Sequence, residues 1–342
     1  MPFNGARSRI LVRRHIVWSR ARKMAVYTDV SDGELTQFVA EYDLGAVLSC
    51  KGIAEGVENS NYLIQTEQAS FILTLYEKRV KEADLPFFLG LMDHLAARGF
   101  VCPTPIKGRD GAVLRRLCGR PAVLISFLEG LWPRTVEPFH CSGVGDALAR
   151  FHLAGADFPM RRPNDLALPG WRRLVDATRE RADEVEPGLA AELETELSAL
   201  EAVWPRDLPT GVCHADLFPD NVFFRDETVS GVIDFYFACT EFLVYDLAIC
   251  LNAWSFDGEA RFNPAKAAAL VQAYQARRPM SEAERLALPV LARGSALRFL
   301  LTRLYDWLNQ QPGALVRPKD PREYLQKLRF HRTISHAEQY GL

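Results

Sequence analysis

The chain has 342 residues, 48% of them hydrophobic and 25% charged, which is enough for a sizeable core and for two lobes. No run of about eighteen apolar residues occurs, which argues against a membrane span; seven cysteines with no Cys-x-x-Cys spacing argue against a disulfide frame or zinc site and for free thiols in a reducing cytoplasm. The formal charge of −2 hides an asymmetry: residues 1–23 hold seven Lys and Arg and no acid, leaving 34 basic against 43 acidic residues elsewhere, an acidic body that argues against nucleic-acid binding.

Residues 1–24 form the basic leader. Its Arg content suits a transit peptide, but no apolar segment marks a secretory signal, and we read it as an unstructured extension, or one misassigned to the chain, rather than a working address. Ser31-Asp32-Gly33-Glu34 then reads as a capping box opening a helix with Leu35, Phe38, Val39 and Tyr42 on one face, closed at Gly45. Residues 53–64 pass from a polar, Gly-containing turn into a strand, and Phe71 to Tyr76 form a second strand after the Glu67-Gln68-Ala69 turn. Residues 83–99 predict a helix with Leu85, Phe88, Leu89, Met92 and Leu95 facing inward, stopped at Gly99 and followed by the Cys102-Pro103-Thr104-Pro105 turn. Gly119 to Gly130 is an apolar strand running into glycine. Beyond it the chain turns mostly helical, with Val144, Leu148, Phe151 and His152 on one stripe and Leu189 to Leu200 on another; His152 reads as a satisfied packing residue.

The chemistry sits in His214-Ala215-Asp216-Leu217-Phe218-Pro219-Asp220-Asn221, followed by Gly231-Val232-Ile233-Asp234-Phe235. The first stretch reads as a loop between Gly211-Val212-Cys213 and Val222-Phe223-Phe224. A turn at Asp226-Glu227-Thr228 then leads into an apolar run from Val229 that presents Asp234 at its end. Taken singly, Asp216 and Asn221 would be turn caps and Asp234 a solvated strand end. Together they are two carboxylates and a carboxamide at spacings suited to holding a divalent cation and a hydroxyl beside a phosphate. Phosphoryl transfer needs little more, because its loose transition state asks the protein to align oxygens and neutralise charge.

These motifs, in this order over nearly all residues after Met24, resemble the aminoglycoside phosphotransferase and choline kinase superfamily. The resemblance implies an α+β, bilobal, protein-kinase-like fold: a small antiparallel-sheet N-lobe at 25–128 and a larger, mostly helical C-lobe at 129–342. It makes Asp216 the catalytic carboxylate and Asn221 and Asp234 ligands of Mg²⁺, with ATP as phosphoryl donor. His214 would brace the loop by hydrogen bonding, and Asp246, in Tyr245-Asp246-Leu247-Ala248, would cap a helix and support the loop. On the nucleotide side it points to Gly56, Asn59 and Asn61 in and after the polar turn over the phosphates, and to the interlobe hinge at Ser126, Phe127 and Leu128 against adenine.

One position departs from the family. Its phosphate-binding Lys falls on Thr74, and Lys78, on the same strand face, lies about 13 Å further along. The stretch from Phe71 to Glu77 is nevertheless similar to the corresponding strand of the bacterial homoserine kinases of this fold, as are the segments at 83–105 and 119–130. That branch implies a small amino-acid acceptor, L-homoserine, in threonine biosynthesis. Such an acceptor needs a cation for its carboxylate, and the helices around Asn252, Trp254, Arg298 and Arg303 would floor its pocket. Hydroxylysine, choline, methylthioribose and aminoglycosides are alternative acceptors, and a nucleotide-binding module without catalysis is a further alternative motivated by Thr74. A regulated protein kinase does not fit, because only eleven residues lie between Asp234 and Asp246 and no Asp-Phe-Gly or Ala-Pro-Glu occurs.

Overall fold

The computed structural model describes residues 28–53, 59–77, 80–310 and 318–342. The basic leader, Gly56 and Lys78 therefore lie outside the described residues. An N-terminal helix, α1 (Asp32–Val39), opens with Ser31 Oγ accepting from Glu34 N and Glu34 Oε2 accepting from Ser31 N, the reciprocal pair read from the sequence. Its Leu35, Phe38 and Val39, with Tyr42 just beyond, are buried against Tyr62, Ile64, Leu73, Leu75 and Leu124.

Those partners belong to an antiparallel five-stranded sheet: β1 (Val47–Ile53), β2 (Asn59–Thr66), β3 (Ser70–Tyr76), β4 (Arg115–Leu117) and β5 (Arg120–Ser126), in the order β1-β2-β3-β5-β4. The register sets Asn61 opposite Thr74, and Thr74 opposite Val123 on its other side. Between β3 and β4 runs α2 (Leu85–Ala97). Besides the five inward positions expected, it buries Phe87 and Leu91, because it is covered on more than one side. Phe87 meets Phe158 with ring centroids 5.4 Å apart, and Phe88 meets Tyr236 at 5.7 Å. This helix and Tyr76 thus join the large core rather than the small one.

That large core is helical. It contains α3 (Pro138–Ala154), α4 (Leu168–Thr178), α5 (Leu189–Val203), α6 (Leu243–Trp254), α7 (Pro264–Arg277), α8 (Glu282–Leu308) and α9 (Arg322–His331). Val144, Leu148, Phe151 and His152 form the buried stripe of α3 as anticipated. Gly145 lets α3 approach α7 closely, since a Cβ there would lie 2.1 Å from Leu270 O. Two short hairpin-like pairs complete the lobe: β6 (Thr210–Cys213) with β9 (Cys239–Phe242), and β7 (Val222–Arg225) with β8 (Thr228–Val232). The strand leading to Asp234 therefore ends at Val232, two residues short of the carboxylate, because the backbone turns left-handed at Asp234 (φ 65°). No helix among the described residues is long and apolar enough to cross a membrane.

Candidate active site

The segment from His214 to Asn221 joins β6 to β7 and is held from four sides. Ala215 sits at φ 63°, a left-handed conformation that costs a residue with a Cβ about 1–2 kcal/mol, so the surroundings must impose it. Asp246 accepts from the backbone N–H of His214 at 2.6 Å and of Ala215 at 2.9 Å. Arg298 Nη1 donates to Ala215 O at 2.7 Å, and Trp254 Nε1 to Leu217 O at 2.7 Å. His214 closes the last side: its ring Nε2 donates to Ile233 O at 3.0 Å, and Nδ1 accepts from Asp216 N at 3.3 Å.

Burial drives the His214 imidazole below its ordinary pKa, which keeps Nδ1 unprotonated to accept that bond. Asp246 is fully buried; burial works against its charge, but bonds from His152 and the loop amides outweigh it and hold the carboxyl below the usual range. His152, itself driven down by burial, donates through Nε2 to Asp246 at 3.2 Å and accepts from Tyr274 OH at 2.8 Å. Asp246 lies in the first turn of α6, which starts at Leu243. It supports the loop but does not cap the helix, which corrects half of the role expected of it.

On the open side, Asn221 Nδ2 donates to Asp216 O at 2.8 Å and reaches Asp216 Oδ2 at 3.3 Å. This ties the amide to the carboxylate and directs Oδ1 the other way. Ile233 N donates to Asn221 O at 3.0 Å, bringing the Asp234 turn alongside. Asp234 itself is exposed. The Asn221 carboxamide oxygen and the Asp234 carboxylate are hard oxygen donors of the kind Mg²⁺ takes.

The sheet side is built differently. Thr74 is 2% exposed and donates through Oγ1 to Asn61 Oδ1 at 2.8 Å. Beside it, the Tyr76 and Tyr236 hydroxyls lie 3.0 Å apart. The Tyr236 hydroxyl, pushed up to about 12 chiefly by burial, also feels Thr74 and Asp234. Tyr236 was not singled out in the sequence, although its place two residues after Asp234 is a usable signal. Asn59 is buried, with Oδ1 accepting from Glu77 N at 3.4 Å, so it holds the strand end together. At the end of β5, where a hinge was expected, Ser126 N donates to Thr104 O and Ser126 Oγ accepts from Thr104 N, both at 2.9 Å. Both of those Ser126 groups are thereby turned to the Thr104 turn rather than to a base, while Phe127 is exposed and Leu128 packs over Gly231.

Of the four residues expected to floor an acceptor pocket, three face elsewhere. Asn252 is fully buried, with Nδ2 on Ala292 O at 2.9 Å and Oδ1 against His331 Nε2 at 3.1 Å. Trp254 and Arg298 lie behind the loop and support it from the core. Helices buried on several sides give no periodic clue to which face meets a site, so the sequence pattern could not separate these roles. Arg303 remains near the surface, its Nη1 2.6 Å from Glu323 Oε2 and its guanidinium 4.3 Å from the Tyr324 ring centre. The Tyr324 hydroxyl is buried without a hydrogen-bond partner among the described residues, and burial above all pushes its pKa up. Lys319, missed in the sequence, reaches Asp220 at 3.8 Å and lies 5.5 Å from the Phe218 ring centre.

A bilobal fold with this loop defines a kinase-like phosphotransferase, and the chain belongs to the phosphotransferase enzyme family, which matches residues 49–280. More particularly, it is 64% identical over 319 residues to the homoserine kinase of Rhodospirillum rubrum, a match covering 93% of this chain and 99% of that protein. Among solved structures it is similar to spectinomycin phosphotransferase in complex with ADP and spectinomycin (TM-score 0.68, 14% identity, 91% of this chain and 100% of that one). It is also similar to the amicoumacin kinase hAmiN in complex with AMP-PNP, Ca²⁺ and its ligand (TM-score 0.63, 14% identity, 91% and 93% covered). At such low identity these two establish the fold alone.

Proposed function

We propose that this chain is an ATP-dependent kinase that phosphorylates the hydroxyl of L-homoserine, the step that commits it to threonine. The chemistry rests on the Asp216, Asn221 and Asp234 arrangement, and the acceptor on the 64% identity to the Rhodospirillum rubrum homoserine kinase. ATP would lie between the sheet and the loop, with the base at Phe127 and Leu128 and the phosphates toward Thr74, Asn61 and Asp234. Asn221 and Asp234 would hold Mg²⁺, which supplies neutralisation of phosphate charge as the bond to the leaving oxygen breaks. Asp216 orients the acceptor hydroxyl for in-line attack and takes its proton late in the transfer.

A zwitterionic acceptor asks for both signs of charge beside that hydroxyl. Arg303 and Lys319 supply the positive side for its carboxylate and Glu323 the negative side for its ammonium group. Seven unpaired cysteines suit a reducing cytoplasm. The test is ADP release with L-homoserine, hydroxylysine, choline, methylthioribose and an aminoglycoside as acceptors. L-Homoserine should give the highest kcat/KM; a preference for choline or a sugar would overturn the acceptor assignment.

A further inference from the structure

We infer that Arg298 is a positioning residue for the transfer, setting the Asp216 carboxylate by pinning the peptide that precedes it. This rests on the reading of Asp216 as the group that orients the acceptor hydroxyl. Arg298 projects from α8 and is 1% exposed, and its Nη1 donates to Ala215 O at 2.7 Å. Its guanidinium carbon lies 4.5 Å from the Phe299 ring centre and 5.9 Å from that of Phe237. Nε finds no hydrogen-bond partner among the described residues, and no described carboxylate forms an ion pair with the group.

A buried cation without a counter-charge is costly, and a well-packed apolar side chain in its place is often neutral or stabilising. Packing alone therefore gives no reason for an arginine here. What the guanidinium adds is a charge-assisted donor aimed at one carbonyl. That carbonyl belongs to Ala215, whose φ of 63° is the strained turn of the loop, and the peptide it closes leads directly into Asp216. Asp246 fixes the N–H side of Ala215 from α6; Arg298 fixes its C=O side from a different helix. Without Arg298 the Ala215–Asp216 peptide keeps only the long bond from Asp216 N to His214 Nδ1 at 3.3 Å, and its carbonyl side, with the carboxylate that follows, is free to shift. Small misplacements of a reacting group are costly, about 100-fold in rate for about 1 Å.

The experiment compares Arg298→Met, Arg298→Lys and Asp216→Asn with the full chain, measuring kcat, both KM values and melting temperature. Arg298→Met should lower kcat about 100-fold while both KM values and the melting temperature stay close to those of the wild type. Arg298→Lys, which keeps one charged donor, should recover a substantial part of the lost kcat at the same melting temperature. The inference is overturned if Arg298→Met keeps a wild-type kcat per folded molecule, or if the loss follows the melting temperature and lysine rescues nothing. Asp216→Asn separates the layers. If it is inactive while Arg298→Met is fully active, only the role of Arg298 fails; if it turns over like the wild type, the reading of the loop fails and the role of Arg298 with it.

Discussion

The two walls of the site are built on opposite plans. On the helical side the His214–Asn221 loop is over-determined: Asp246, Arg298, Trp254 and the His214 ring each take a different backbone group, and all four are buried. On the sheet side the neutral Thr74 is bonded to Asn61 beside a pair of tyrosine hydroxyls. The first plan fixes one carboxylate by removing every alternative. The second offers neutral hydroxyl and amide groups, so on the proposed function charge on the phosphates would be met elsewhere, by the Mg²⁺ that Asn221 and Asp234 would hold. Rate should therefore be concentrated in the helical wall, and nucleotide affinity spread thinly over the sheet.

Substitutions in the helical wall test the strong half of that contrast. Asp216→Ala removes the carboxylate proposed to take the acceptor proton and should lower kcat by about 10³-fold, within the range of a positioned acid or base, with an unchanged urea midpoint. A kcat within a few-fold of wild type would break the assignment. Asp246→Ala should act in the reverse proportion. It strands the His214 and Ala215 N–H groups and the His152 ring in the core, a loss of about 3–5 kcal/mol visible as a lower urea midpoint. If Asp246→Ala unfolded at the wild-type midpoint, the loop would not depend on that anchor.

The site was legible where its signal is local. His214, Asp216 and Asn221 lie within eight residues on one loop, so spacing alone brings them together, and the Ser31–Glu34 cap was legible for the same reason. Long-range decisions were not. In α6 ten of twelve residues are buried, so no stripe tells which side meets solvent, and Asn252 and Trp254 were placed on the pocket when they face the core. In α8, 27 residues long with Pro289 inside, Arg298 and Arg303 stand five apart and point to different surroundings. Ser126 looks like any hinge residue until the Thr104 turn, 22 residues earlier, is seen to occupy both its amide and its hydroxyl.

Thr74→Ala probes the thin half. It removes one hydroxyl bond to Asn61 without touching the loop, and a neutral hydrogen bond contributes about 1 kcal/mol. The KM for ATP should rise less than about tenfold and kcat should stay within a few-fold. A collapse of kcat would mean that Thr74 acts in the transfer, and the contrast between the two walls would have to be redrawn.

The last expected effect concerns acid, and near neutral pH it is the smallest. The helical wall stands on histidines kept neutral by burial: His152, His214 and, beneath Asn252, His331, which burial pushes down to about 3. Unfolding releases His331 to its ordinary value near 6.5, so below that pH the unfolded chain binds a proton that the folded chain refuses. Stability from this group is complete above about pH 6.5 and is lost progressively as the pH falls toward 3. Between pH 7 and pH 6 the loss is under about 1 kcal/mol, and it steepens below. His331→Gln replaces the ring with an amide able to donate to Asn252 Oδ1 and accept from Tyr340 OH, the two bonds the ring makes, without the titration. Urea midpoints at pH 7, 6 and 5 should therefore fall less steeply for this variant than for the wild type. Parallel slopes would mean that His331 is protonated in the folded protein, and that the floor under α6 is more open to water than its burial indicates.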